Sequence, residues 1–212
     1  MKLRALSQSA LAMACLMLWA MPAGAQEEKK QEEQEEQQTQ AADAMMEAWQ
    51  KAGTPGEHHE QLAALVGTWN ADLKYWMDPS AEPLTSKGTI NYSMIMDGRY
   101  LREEVNSEFM GQPFKGLGTY GYNNVTGQLE ASWIDDMSTG VYTYEGSIGP
   151  NGKEFVLKGT YTDPVSNEVR ETRNVLRIVS PDELHYETFE TRDGKEVKMM
   201  EMTATRESGS KM

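Results

Sequence analysis

Between Gly67 and Arg206 the chain repeats one pattern, in which a segment rich in β-branched and aromatic residues is followed by a short polar break. Such spacing is typical of short strands joined by turns. We predict strands over residues 67–76, 86–95, 99–109, 114–122, 128–135, 139–148, 154–162, 169–179, 183–191 and 195–206. The breaks at Asp97-Gly98, Asn151-Gly152 and Asp193-Gly194 are typical of tight hairpin turns that need a positive φ.

Short hairpin links make sequential strands neighbours in space, which predicts a meander. A meander of about ten strands either exposes two edges or closes on itself, and closure removes the edges that promote aggregation. We therefore expect an all-β protein: a single closed antiparallel barrel over residues 55–208, with short helices before the first strand. The second of these helices is predicted over residues 57–66, ending before Gly67.

Residues 1–25 have the composition of an export signal. Lys2 and Arg4 precede an apolar stretch from Ala10 to Met21, and small residues follow up to Ala25. Signal peptides are cleaved after such small residues. We expect cleavage after Ala25 and a periplasmic or secreted protein, and no later stretch has the roughly 20 apolar residues that a membrane span needs.

Cys15 is the only cysteine, and it leaves open a lipidated protein cleaved earlier. The apolar run continues past Cys15 through Trp19, which favours cleavage at Ala25. The exported chain then has no thiol, so its stability comes from a packed core without disulfides.

Residues 26–54 read as a linker rich in Gln and Glu. Residues 26–40 have few apolar side chains to bury, so we expect them to be disordered or weakly helical. A short helix is predicted at 41–51, where Met45, Met46 and Trp49 recur at helical spacing. This helix either packs on its own domain, which we favour, or contacts a partner.

The formal net charge is −13. Because acidic surfaces repel phosphates, we expect no nucleic-acid partner. No sequence pattern indicates a cofactor, and faces of mixed polarity on some strands leave open a homodimer contact.

Alternation along the strands places aromatic side chains where a barrel interior would be. Tyr122, Trp133 and Tyr142 are candidate stacking surfaces for a ligand, and Asp135 and Arg173 are candidate polar anchors. These five residues form the predicted ligand-binding set.

Catalytic and metal chemistry have weaker support. Asp135 and Glu187 are candidates for general acid–base catalysis, but the chain has no G-x-S-x-G nucleophile motif. His58 and His59 are adjacent, so their side chains diverge, and His185 stands alone; we therefore predict no metal site. A less favoured interpretation is that such an isolated histidine is the axial ligand of a haem.

Gly67-Thr68-Trp69 resembles the G-x-W signature of lipocalins, in which an arginine of the last strand packs across the tryptophan ring; Arg206 stands at that place. Five segments together resemble a bacterial family, domain of unknown function 1579. They are Gly56–Leu62, Gly67–Trp69, Gly118–Asn123, Trp133–Met137 and Tyr144–Gly146. The resemblance implies a calycin-like barrel closed by Trp69 and Arg206, and it transfers no catalytic residue.

Three functions remain open at this stage. The favoured one is an exported protein that binds a small, largely apolar ligand inside the barrel. The alternatives are a structural or interaction module with a filled core, and an enzyme that acts on a small hydrophobic substrate through Asp135 or Glu187.

Overall fold

A computed structural model describes residues 23–209, and the predicted signal peptide lies outside them apart from residues 23–25. The chain divides into two units, residues 1–51 and residues 52–212. Among the described residues, no helix combines the length and the apolar character that crossing a bilayer requires.

Helix α1 spans Ala23–Gly53 and accounts for all the described residues of the first unit. This single helix covers both the segment expected to be disordered or weakly helical, residues 26–40, and the short helix expected at 41–51. Gln, Glu, Lys and Ala are all good helix formers, and neither Gly nor Pro interrupts residues 25–52. A shortage of apolar side chains prevents a packed core, but it does not prevent a helix.

The second unit consists of helix α2, Glu57–Ala63, and ten strands. The strands are β1 Gly67–Tyr75, β2 Leu84–Ile95, β3 Tyr100–Phe109, β4 Gln112–Asn123, β5 Gln128–Asp135, β6 Tyr142–Ile148, β7 Glu154–Thr162, β8 Val169–Ser180, β9 Glu183–Arg192 and β10 Lys195–Arg206. Each pairs antiparallel with the next, and β1 pairs with β10. The predicted closed meander barrel is therefore confirmed.

The turns have the backbone that their sequences predict. Both Asp97 and Gly98 have positive φ, at 54° and 83°, and Asp193 and Gly194 follow the same pattern at 50° and 73°. In the third turn only Gly152 has a positive φ. Because asparagine, aspartate and glycine tolerate this conformation better than other residues, these short links hold consecutive strands side by side.

Buried and exposed residues alternate along β1, and this alternation shows which face of the strand points into the barrel. Trp69, Ala71 and Leu73 are buried, whereas Asn70 and Asp72 between them are exposed. Inward side chains of this kind form one apolar core around the barrel axis. Leu62 of α2 and Leu65 just after it join that core, so α2 packs over one end of the barrel.

Candidate functional site

The barrel end beneath α2 is closed by Trp69 and Arg206. The Trp69 ring is fully buried, and its Nε1–H donates a hydrogen bond of 2.8 Å to the carbonyl oxygen of Leu65. The Arg206 guanidinium lies 3.9 Å over the ring and donates hydrogen bonds to the carbonyl oxygens of Ala64 and Val66. The expected contact between the two residues is present, and it ties the last strand to the segment between α2 and β1.

Beyond this closed end the barrel encloses a cavity of about 270 Å³. It extends from Leu62 and Leu65 to Tyr75, Phe114 and Trp133, toward the opposite end of the barrel. The lining is dominated by aliphatic and aromatic side chains, with a few polar groups among them. This volume lies near the lower end of small-molecule pockets, which start at roughly 300 Å³.

One carboxyl group projects into the cavity, that of Glu103 on β3, and the residue is only 7% exposed. The Tyr92 hydroxyl donates a hydrogen bond of 2.8 Å to its Oε1, and the Tyr120 hydroxyl donates one of 2.6 Å to its Oε2. Among the described residues that line the cavity there is no Lys, Arg or His. The carboxyl group is therefore held by phenols and not by a cation.

Burial governs the ionisation of this cluster. Removal from water raises the pKa of Glu103, and the hydrogen bonds from Tyr120 and Tyr92 oppose that rise. Burial, together with the nearby Glu103 carboxyl group, raises the pKa of both tyrosines well above its ordinary value. Both phenols therefore stay protonated at neutral pH and remain hydrogen-bond donors.

Two glycines of β4 make room for the polar and aromatic groups of the site. The strand register places Gly118 between Glu103 on one side and Trp133 on the other. A Cβ at Gly118 would lie 2.8 Å from Oε2 of Glu103, and a Cβ at Gly116 would lie 2.1 Å from the Trp133 ring. The Glu103 carboxyl group and the Trp133 indole therefore contact β4 at glycines, where no side chain lies between them and the strand. Both groups line the same cavity.

Trp133 is the only one of the five predicted ligand-binding residues that lines this cavity. Asp135 does not line it; its Oδ2 accepts the Trp133 Nε1–H at 2.9 Å. Its Oδ1 accepts the backbone N–H groups of Met137 and Ser138. Asp135, predicted as a polar anchor, therefore orients the indole and the loop after β5.

Tyr122 and Tyr142 lie outside the cavity as well. The Tyr122 ring is 3.9 Å from the ring of His58, next to α2, and its hydroxyl donates to the Gly127 carbonyl oxygen. Tyr142 donates a hydrogen bond of 3.1 Å to Ser138 Oγ. Neither of these two predicted stacking residues therefore lines the cavity.

Arg173 and Glu187 belong to the outer face of the barrel, because Asn174 and Tyr186, their neighbours along the strands, face the cavity. Arg173 donates hydrogen bonds of 2.6 and 2.7 Å to Glu196. Arg173, like Glu187 and Asp135, does not line the cavity.

A group of possible metal ligands lies on the outer face, where His185, Glu187 and Glu201 bring one ligand atom each within 4.8 Å of one another. Lys198 already pairs with both carboxylates, at 2.5 Å from Glu187 and 2.9 Å from Glu201, and Lys74 also pairs with Glu201. These lysines provide the positive charge that a metal ion would otherwise supply.

The histidines offer no haem ligand inside the barrel. His185 does not line the cavity, and His58 packs against Tyr122. His59 is buried, and its Nδ1 accepts the backbone N–H of Gly56 at 3.0 Å, where α2 begins. Among the described residues, the alternative of an axial haem ligand therefore has no histidine in the right place.

The sequence interpretation missed Glu103 and Tyr92, and it did not connect Tyr120 with them. A signal for Glu103 was present, because it alternates with Leu101 and Val105 and so shares their inward face. Recognising the tyrosines as its partners required the pairing of β2 and β4 with β3, which periodicity alone does not specify.

The profile of a family described as protein of unknown function (DUF1579) matches residues 54–206. Among the curated proteins, no sequence matches the chain. The crystal structure of Rv2717c from M. tuberculosis is similar, with a TM-score of 0.56 at 16% identity, over 73% of this chain and 99% of that one. The S-type phycobiliprotein lyase CPES from Guillardia theta is similar, with a TM-score of 0.51 at 13% identity, over 71% of this chain and 93% of that one. At these identities the likeness shows the fold alone.

Proposed function

The chain belongs to the DUF1579 family, and we propose that its barrel is a binding protein for a small, largely apolar molecule. The observation that carries this proposal is the cavity of about 270 Å³, enclosed mainly by aliphatic and aromatic side chains. Sites of this kind, concave and apolar with a few placed polar groups, are where proteins commonly bind small molecules.

The alternative of a structural module with a filled core has less support. A barrel of this size can be filled completely by its own side chains. Here Trp133 and Glu103 cover the glycines Gly116 and Gly118, yet the inward side chains still leave a cavity of about 270 Å³. An open interior favours a container over a structural core.

The side chains that line the cavity also limit which kind of molecule can bind there. Leu73, Ile90, Val105 and Met202 provide aliphatic surface, while the polar contribution comes mainly from uncharged hydroxyl and amide groups. Apolar area removed from water contributes about 25 cal/mol per Å² to binding before the cost of association. A mainly apolar ligand with a single polar group would match this surface.

Titration of the full chain with prodan, a neutral dye that fluoresces more strongly in apolar surroundings, tests the proposal. Ala131 lines the cavity, so Ala131→Leu places a larger side chain inside it. The matched control is Thr89→Leu, which adds the same side chain at an exposed position of β2. We expect Ala131→Leu to weaken prodan binding on the order of tenfold, and Thr89→Leu to leave it unchanged.

Two results would contradict the proposal. One is wild-type protein that binds no prodan and carries no small molecule in a native mass spectrum after mild purification. The other is equal weakening by both substitutions, because this would place the dye on the surface. Thermal unfolding of both variants shows whether each is folded before its affinity is compared.

We propose in addition that the barrel works outside the cytoplasm, after cleavage behind Ala25. The support is the charged, apolar and small-residue order of residues 1–25. Fractionation of a bacterium that expresses the full chain should recover it outside the cytoplasm, with Gln26 as its first residue. Cytoplasmic protein that retains Met1 would contradict this proposal.

A further inference from the structure

The cavity contains a carboxyl group with no cationic partner among the described lining residues. Placing an ionised carboxylate in an apolar interior is costly unless a counter-charge and hydrogen bonds compensate. The hydrogen bonds are present, from Tyr92 and Tyr120, but the counter-charge is missing from the lining. In its ionised form, Glu103 is therefore a buried negative charge that no described lining residue offsets.

The phenols hold the carboxyl group in an orientation suited to accept more hydrogen bonds. Each tyrosine donates to a different oxygen, so both oxygens already act as acceptors. A carboxylate has about four lone-pair sites, so two donors leave capacity for a third. Because Glu103 lines the cavity, a donor on a bound molecule can reach it.

Aromatic rings line the same cavity as this carboxyl group. Trp133 of β5 contacts β4 at Gly116, two residues from Gly118, which Glu103 covers. Phe114 is stacked near the indole, with ring centroids 6.4 Å apart. Tyr144 and Tyr186 line the same cavity. Aromatic faces attract cations, and the attraction is stronger where water is excluded.

We infer that the occupant of the cavity carries a protonated amine, which pairs with Glu103 while its apolar part lies against Trp133. This inference rests on the proposed binding function and specifies its ligand class. An anionic ligand would meet the negative charge of Glu103 without any lining cation to offset it. A neutral ligand would provide no counter-charge, so it would favour the protonated form of Glu103, whereas a protonated amine stabilises the ionised form.

Three compounds of equal chain length, octylamine, octanol and octanoate, test the inference by calorimetric titration of the full chain. The wild-type protein should bind octylamine on the order of tenfold more tightly than octanol, since hydrogen bonds to charged groups are the stronger ones. Octanoate should bind most weakly. This ranking requires no variant, so it stands even where a substitution impairs folding.

Substitution of Glu103 then tests whether this residue causes the preference for octylamine over octanol. Glu103→Gln should remove the advantage of octylamine over octanol, while Glu103→Asp should retain part of it. The matched control is Glu104→Gln, because Glu104 is the next residue of β3 and its half-exposed side chain contacts Arg102 on the outer face. This control should keep the wild-type ranking.

The outcomes separate the amine inference from the proposed function. Equal affinities for octylamine and octanol, or an octylamine advantage that persists in Glu103→Gln, would overturn the amine inference and leave binding in the barrel intact. Failure of prodan and of all three octyl compounds to bind would overturn both. A loss of preference in Glu103→Gln but not in Glu104→Gln would support the inference.

Discussion

The guanidinium of Arg206 lies 3.9 Å over the indole ring of Trp69 and joins the two ends of the barrel sheet. The two residues are also direct partners in the pairing of β1 with β10. Arg206 further donates a hydrogen bond of 2.9 Å to the carbonyl oxygen of Pro181, in the link between β8 and β9. One side chain thus connects the closing strand pair, the segment after α2 and a neighbouring turn.

Substitutions at this contact should reduce stability before they affect binding. Trp69→Ala removes a fully buried ring, and we expect it to lower the free energy of unfolding by about 3–5 kcal/mol in urea denaturation. Arg206→Lys should also lower the free energy of unfolding. Lysine keeps the positive charge, but it lacks the planar guanidinium group that donates to several carbonyl oxygens at once. Arg102→Lys, at an exposed arginine of β3, is the control. If Arg206→Lys lowered the free energy of unfolding no more than this control does, Arg206 would not help to close the barrel.

Gly116→Ala should displace the indole of Trp133. The added Cβ would lie 2.1 Å from the ring, far inside contact distance, so the ring must move away from β4 and from its bond to Asp135. The NMR resonance of the Trp133 Nε1–H should therefore shift strongly. Gly140→Ala is the control, since nothing lies within 4 Å of a Cβ there. An unshifted resonance in Gly116→Ala would show that the ring does not rest on this glycine.

Glu103→Gln should change how stability depends on pH. Burial raises the folded-state pKa of Glu103 above its unfolded value, so the folded protein binds the proton more tightly. The wild-type protein should be most stable, relative to Glu103→Gln, below the unfolded pKa of about 4.3. It should lose that advantage as pH rises through the folded pKa, by about 1.4 kcal/mol for each unit of difference between the two pKa values.

Urea unfolding of both proteins across this pH range measures the difference, with Glu104→Gln as the control on the outer face of the same strand. A difference between wild type and Glu103→Gln that stays constant with pH would contradict a buried, titrating carboxyl group.

Arg173→Ala and Glu187→Gln should leave prodan affinity unchanged. Both residues form ion pairs on the outer face, Arg173 with Glu196 and Glu187 with Arg177 and Lys198. Partly exposed pairs of this kind contribute about 1 kcal/mol or less to stability. A severalfold loss of prodan affinity in either folded variant would mean that the outer face takes part in binding.

The sequence predicted the barrel well because its strands depend on local signals. Alternation on β1 and the turns at Asp97-Gly98 and Asp193-Gly194 are properties of neighbouring residues, and each is present in the structure. The candidate site was predicted poorly because it depends on register. In the run Arg102-Glu103-Glu104, alternation with Leu101 and Val105 indicates that Glu103 points inward, but its tyrosine partners follow only from the pairing of β3 with β2 and β4.

The most direct test of binding inside the barrel is a map of NMR chemical-shift changes in the ¹⁵N-labelled full chain at saturation with prodan. We expect the largest changes at the amides of Gly118, which contacts Glu103, and Ala131, which lines the cavity, and at the indole N–H of Trp133, whose ring lines it as well. Changes confined to outward positions such as Thr143 and Lys158, or no changes at all, would contradict binding inside the barrel.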